Sequence, residues 1–212
     1  PLDSPMDQKL EPAALTHPFL ISIPVGQSAL SYSLAESLDY ESERDNVLLV
    51  YENGDGESAL CRSISSSLDS IGIPFTRFSY GIVSGRNISS TLKGHLSSSR
   101  RNHVIVCSEK ESFASDAYRN LSLLAREYDL TVYGNHKIRS FESIEQEALQ
   151  ATKAHFSLGF YVDYTDDATK SFVRKYRALF ASEPTPFAFQ GHDTALYMMK
   201  AMQQLGPAMR YG

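Results

Sequence analysis

Four apolar runs at nearly even spacing constrain this chain more than any other feature. VLLVY (Val47–Tyr51), FTRFSY (Phe75–Tyr80), HVIVCS (His103–Ser108) and LTVYG (Leu130–Gly134) start about 28 residues apart. That is the length of a strand, a crossover helix and two short connections. Runs 47–51 and 103–108 are apolar without alternation, as in strands covered on both faces. Helical segments are predicted between them, over 57–71 (stopped by Gly72), 87–96 and 112–127. This rhythm predicts an α/β fold: a doubly wound parallel sheet in three α/β/α layers, with right-handed crossovers. No motif repeats from unit to unit, so a solenoid is excluded.

The flanks extend the pattern. Residues 1–16, polar and carrying Pro5 and Pro12, read as a linker or extended arm. FLISIPV (Phe19–Val25) reads as a strand, broken by Pro24 and Gly26. A helix through about Asp39 follows, with Leu30, Leu34, Ala35 and Leu38 on one face. Residues 140–153 look helical, with Ser143 and Gln146 at capping-box spacing. Residues 17–165 therefore read as one α/β lobe. Over 166–212, Thr165 is the expected helix cap, with Asp166 and Asp167 at the positive end of the dipole. Phe172, Val173, Tyr176, Leu179 and Phe180 share a face expected to be core. Pro184 and Pro186 read as a stiff connection to a last helix from about His192, stopped at Gly206-Pro207.

Charge and composition exclude several classes. The net charge of −5 offers no basic face for phosphates, and Arg100-Arg101 is too short to be a patch, so no nucleic-acid partner is expected. No apolar run reaches the ~18 residues of a membrane span. The start, PLDSPMDQKLEP, has no secretory-leader pattern and no Met, and reads as a cut or processed end. The two cysteines, Cys61 and Cys107, read as small buried apolar residues; a disulfide would need them adjacent in space. No metal-ligand spacing occurs, and no metal or other cofactor is expected.

Catalytic motifs are equally absent. There is no GxSxG elbow and no phosphate-binding P-loop, so no enzyme is expected. Gly54-Asp55-Gly56-Glu57-Ser58-Ala59 fits GxGxxA after a strand. Glu57 would repel a pyrophosphate there, and no acidic residue follows at the ribose position. An Asn-Gly/Asp-Gly turn accounts for the glycines. In open parallel sheets, ligands bind outside the carboxyl ends of the strands. That rule selects Ser108-Glu109-Lys110-Glu111 after the run 103–108. Glu109 could hold an amino group, and Ser108 or Lys110 a carboxylate; helix capping by Ser108 or Ser112 is the other use of this stretch. Glu52-Asn53, Ser79-Tyr80 and Asn135-His136 fall at the same edge. Gln27 and Ser28, after Gly26, could present free amides to a small anion.

The stretch Phe172–Gly206, with F-V-x-K-Y-x-x-x-F, E-P-x-x-F-A and G-H-D-T-A, resembles the type I periplasmic binding proteins, the solute receptors of branched-chain amino acid transporters. HPFLISIPVGQSALSYSLAESL and DNVLLVYENGDGESAL are similar to the opening of that family's second lobe. The likeness covers nearly all of residues 17–206. A further resemblance is to Bacteroidetes envelope proteins in which such a region follows peptidoglycan-binding LysM repeats, carried by TVYG…SFESIEQEAL and Y-V-D-Y…F-V-x-K-Y-R. It implies a periplasmic or cell-envelope location and a cleft between two lobes. It also implies a first lobe ahead of residue 17, with residues 166–212 returning towards it. Gln27, Ser28, Tyr80, Ser108 and Glu109 would form this lobe's share of an amino acid-like ligand site. A membrane permease, or peptidoglycan through other domains, would be the partners. Two alternatives stay open: a structural or sensing envelope module that has lost its ligand, and a nucleotide-using doubly wound enzyme.

Overall fold

A computed structural model gives the structure of residues 25–82 and 88–206. The expected arm over 1–16, most of the expected strand Phe19–Val25, Asn87 and Pro207 lie outside them. The described residues form two compact units, 25–159 and 160–206.

The first unit carries the parallel strands β1 (Asp45–Glu52), β2 (Thr76–Tyr80), β3 (Arg101–Val106), β4 (Leu130–Gly134) and β5 (His155–Phe156). Their order is β2-β1-β3-β4-β5. Its helices are α1 (Gln27–Glu36), α2 (Ala59–Ser70), α3 (Ser89–Lys93), α4 (Glu111–Leu124) and α5 (Gln146–Ala151). Side-chain alternation along each strand sorts the core into two layers. Leu48, Val50, Val104, Val106 and Val132 pack under α3, α4 and α5. Val47, Leu49, Ile105 and Tyr133 pack under α1 and α2. The expected doubly wound, three-layer α/β/α sheet is therefore present.

Local chemistry sets the element ends. Ser58 Oγ accepts the Cys61 N–H at 3.3 Å and starts α2. Gly72, at φ +74°, lies just past the helix end in the left-handed region that glycine enters freely. The expected helix over 140–153 is shortened to α5. Its capping box does not form, because the Ser143 N–H donates to Glu111 Oε1 at 2.9 Å and Glu145 becomes the cap residue. Upstream, Asn135 Oδ1 accepts the Lys137 N–H at 2.9 Å and closes a 3-10 turn over His136–Ser140.

The second unit holds α6 (Asp167–Phe180) and α7 (Pro186–Leu205). Asp166, not Thr165, caps α6, accepting the Thr169 N–H at 2.8 Å; Thr165 Oγ1 donates to Asp163 instead. α7 starts at Pro186, six residues before the expected His192. Proline suits a first helical position, where its missing N–H has no partner to lose. Phe172 joins the helices, its ring 5.1 Å from Phe189 and 4.2 Å from His192. The apolar face expected to be core is only partly so: Val173 is buried, whereas Leu179 and Phe180 are 78% and 62% exposed.

Candidate functional site

The strand order reverses between β1 and β3. β1 leads through α2 to β2 on one side, and β3 leads through α4 to β4 on the other. In open α/β sheets, ligands bind at the carboxyl ends of strands whose connections diverge in this way. The register Val50↔Val106 brings Glu52, Asn53 and Asp55 beside Ser108, Glu109 and Lys110.

Lys110 sits at the centre of this edge. Its Nζ lies 2.6 Å from Glu52 Oε2 and 3.0 Å from Asp55 Oδ2. The hydrogen bond to Glu52, then that to Asp55, holds the ammonium above its ordinary pKa. Glu109 points the other way, to Lys137 Nζ at 2.9 Å. Asn135, following β4, donates from Nδ2 to the Ser108 carbonyl at 2.7 Å and ties the two loops together. The edge thus displays Glu52, Asp55, Glu109, Lys110 and Lys137 as two linked ion clusters.

The sequence-selected residues divide. Glu109 is at the edge and accessible. Ser28 is exposed and Gln27 half-buried in the first turn of α1. The N-cap of α1, Gly26, supplies no side-chain hydrogen bond, and Ser63 Oγ of α2 donates to the Gln27 carbonyl at 3.5 Å. Ser108 is buried, and its Oγ accepts the Lys110 N–H at 3.1 Å. Tyr80 is buried against Phe113, with ring centroids 4.7 Å apart, and its hydroxyl donates to Asp116 Oδ2 at 2.9 Å. These last two side chains shape the edge from beneath. Lys110 was selected from the sequence as a carboxylate holder; its pairing with Glu52 and Asp55, and that of Glu109 with Lys137, were missed, because they depend on strand order.

The GxGxxA segment makes no phosphate cradle. Gly54 has φ +91°, and Asp55–Glu57 form a 3-10 turn. A Cβ on Gly56 would lie 2.8 Å from the Tyr51 ring, so the room this glycine leaves is filled by Tyr51. A concavity of about 460 Å³ lies at the opposite edge, where the strands start, lined by Glu43, Arg44, Ser98, Ser99, Arg100, Arg101 and Asp129. Its charges are largely spent: Arg101 pairs with Asp45 and Arg44 with Glu41. Among the described residues, no group of three or more His, Cys, Asp or Glu is placed to hold a metal ion, and no helix is long and apolar enough to cross a membrane.

No family model matches the chain, and no curated protein does. Solved structures do. A candidate branched-chain amino acid ABC transporter protein from Rhodospirillum rubrum superimposes with a TM-score of 0.58 at 16% identity, over 88% of this chain and 54% of that one. The fold is periplasmic binding protein-like. At that identity the likeness is one of fold alone, and the chain spans about half the length of that protein. A fatty acid ABC transporter substrate-binding protein from Thermomonospora curvata aligns at TM-score 0.39 and 15% identity, over 85% of this chain and 51% of that one. A candidate maltose operon transcriptional repressor from Staphylococcus aureus aligns at TM-score 0.40 and 11% identity, over 78% of this chain and 73% of that one.

Proposed function

We propose that residues 17–165 are the ligand-binding lobe of a non-enzymatic bacterial envelope receptor, similar to the amino acid-binding proteins of ABC transporters. Residues 166–212 would lead towards a companion lobe in further chain of the same protein. The observation that carries this reading is the charged edge at the carboxyl ends of β1 and β3, where Lys110 stands between Glu52 and Asp55. Carboxylates and an ammonium at one strand edge suit a small zwitterionic ligand, whose charges they can exchange for their own pairs. Gln27, Ser28, Glu109 and Lys110 would make the contacts, with Ser108 and Tyr80 holding the surface in place. The test is a thermal shift of the full-length protein against amino acids and small anions. A binder at 100 Kd stabilises the fold by about 2.7 kcal/mol. Stabilisation by none of them would sink the receptor reading.

A second reading is a structural or sensing module, joined to peptidoglycan-binding repeats, that keeps the fold without a ligand. It is favoured by the self-pairing of the edge: Glu109 is already matched by Lys137, and Lys110 by two carboxylates. A nucleotide-using enzyme is the least supported, because Tyr51 occupies the space beside Gly56.

A further inference from the structure

The two cysteines lie 46 positions apart in sequence and meet in the core between the sheet and α2. Cys61 stands in the first turn of α2, and Cys107 directly follows β3. The Cys61 Sγ donates to the Cys107 carbonyl at 3.6 Å. Both side chains belong to the same buried cluster, packed with Leu60, Ile64 and Ile105. Both are free thiols, buried together. We propose that Cys61 and Cys107 form a redox pair that closes to a disulfide, stapling the start of α2 to the loop that carries Ser108, Glu109 and Lys110.

The two sulfurs are not equivalent. The neighbouring Cys107 side chain draws the Cys61 thiol below its ordinary pKa, while burial pushes Cys107 well above. Cys61 therefore supplies the thiolate. The oxidant is a low-molecular-weight disulfide acting by thiol–disulfide exchange. The Cys61 thiolate attacks one of its sulfurs, forming a mixed disulfide and releasing one thiol. The Cys107 sulfur, giving up its proton, then attacks Cys61 Sγ, breaks the mixed disulfide and releases the second thiol. The two cysteines lose two electrons and two protons, and the external disulfide gains both. Because Cys107 immediately precedes the charged edge, the bond restrains that edge, and it does so whether or not the edge binds a ligand. Burial slows the first attack, so exchange proceeds through brief opening of the start of α2.

The experiment is incubation of the native full-length protein with oxidised glutathione, acid quenching, alkylation in denaturant and peptide mass mapping. The expected result is loss of both alkylatable thiols, a mass lower by two hydrogens and a linked peptide joining residues 61 and 107. The thermal midpoint rises on oxidation and returns with dithiothreitol. In Cys61→Ala, Cys107 is expected to stay alkylatable. Two outcomes overturn the proposal: both thiols remain free in the native protein while the urea-unfolded protein oxidises, or glutathione stays attached to one cysteine with no internal link.

Discussion

Arg101 grips the buried carboxylate of Asp45 with two nitrogens, Nε at 2.6 Å from Oδ1 and Nη2 at 2.8 Å from Oδ2. The two residues are register partners at the first positions of β1 and β3. The Glu41 N–H donates to the same carboxylate at 2.7 Å. The Asp45 side chain is fully shielded from solvent. Asp45→Ala leaves the Glu41 N–H and the Arg101 fork without their acceptor. A loss of about 1–3 kcal/mol in urea denaturation is expected. Arg44→Ala serves as the control, since its pair with Glu41 is an exposed one and contributes little. Equal midpoints for the two variants would contradict this account.

His103 makes the same corner pH-sensitive. Its Nδ1 is 3.1 Å from the Tyr133 hydroxyl, and its Nε2 is 3.4 Å from Asp45 Oδ2 without the alignment of a hydrogen bond. Burial lowers its pKa below 6.5; Asp45 and Asp129 oppose this, Arg101 adds to it, and burial wins. In the window beneath 6.5 the unfolded chain binds more protons than the folded one, so stability rises with pH. This contribution is complete above about 6.5 and is lost as pH falls towards the folded value. Asp45 acts lower down. Burial would raise its pKa, but the hydrogen bonds from Arg101 and Glu41 and the nearby positive charge outweigh it and hold it below 3.8. Its contribution is complete above about 3.8 and is lost as pH falls from there through the depressed value. His103→Gln is expected to flatten the decline in urea midpoint just below pH 6.5 and to leave the acid decline in place.

Two buried tyrosines should answer the same substitution with opposite signs. The Tyr80 hydroxyl donates to Asp116, which also accepts from Asn120 Nδ2 at 3.1 Å. The Tyr118 hydroxyl is more deeply buried and finds no partner among the described residues. Tyr80→Phe is expected to cost about 0.5–1.5 kcal/mol, the net value of a made hydrogen bond. Tyr118→Phe removes an unmatched polar group from the core and is expected to stabilise by about 1 kcal/mol. Chemical denaturation of the pair checks the sign, and a loss in both would show that the Tyr118 hydroxyl is satisfied.

The sheet was legible because four of its strands are apolar runs with clean ends. Leu130–Gly134 was read to the residue. β1 and β3 each begin two residues earlier than expected, at Asp45 and Arg101. A charge inside a buried strand is tolerable only when a distant opposite charge meets it, and that meeting requires the register of β1 on β3. α7 was misplaced because Pro186 reads equally well as a loop residue and as a helix start. For the site, position along each strand was readable but adjacency of strands was not. Tyr80 shares strand parity with the buried Phe78, so its inward orientation was available from alternation alone. The partners of Lys110, by contrast, lie 58 and 55 positions away, at Glu52 and Asp55, and only the order β2-β1-β3 brings them together.

That hub is open to direct test. The Lys110 side chain is 55% exposed, with Glu52 and Asp55 at 23% and 30%. Solvent and salt screen such a cluster, so its worth lies in charge placement more than in fold stability. Lys110→Met removes the ammonium, retains the apolar stem and leaves Glu52 and Asp55 facing each other. The unliganded thermal midpoint is expected to stay within error of the wild type. The change should appear in binding: an amino acid that shifts the wild-type midpoint is expected to shift the variant much less, because its carboxylate meets two uncompensated acids. Glu109→Gln should weaken the response through the ligand's ammonium instead. A double variant, Lys110→Met with Glu52→Gln, removes part of the repulsion and is expected to recover some of the lost shift. If Lys110→Met preserves the full ligand shift, the carboxyl edge of β1 and β3 is not where the ligand's carboxylate is held.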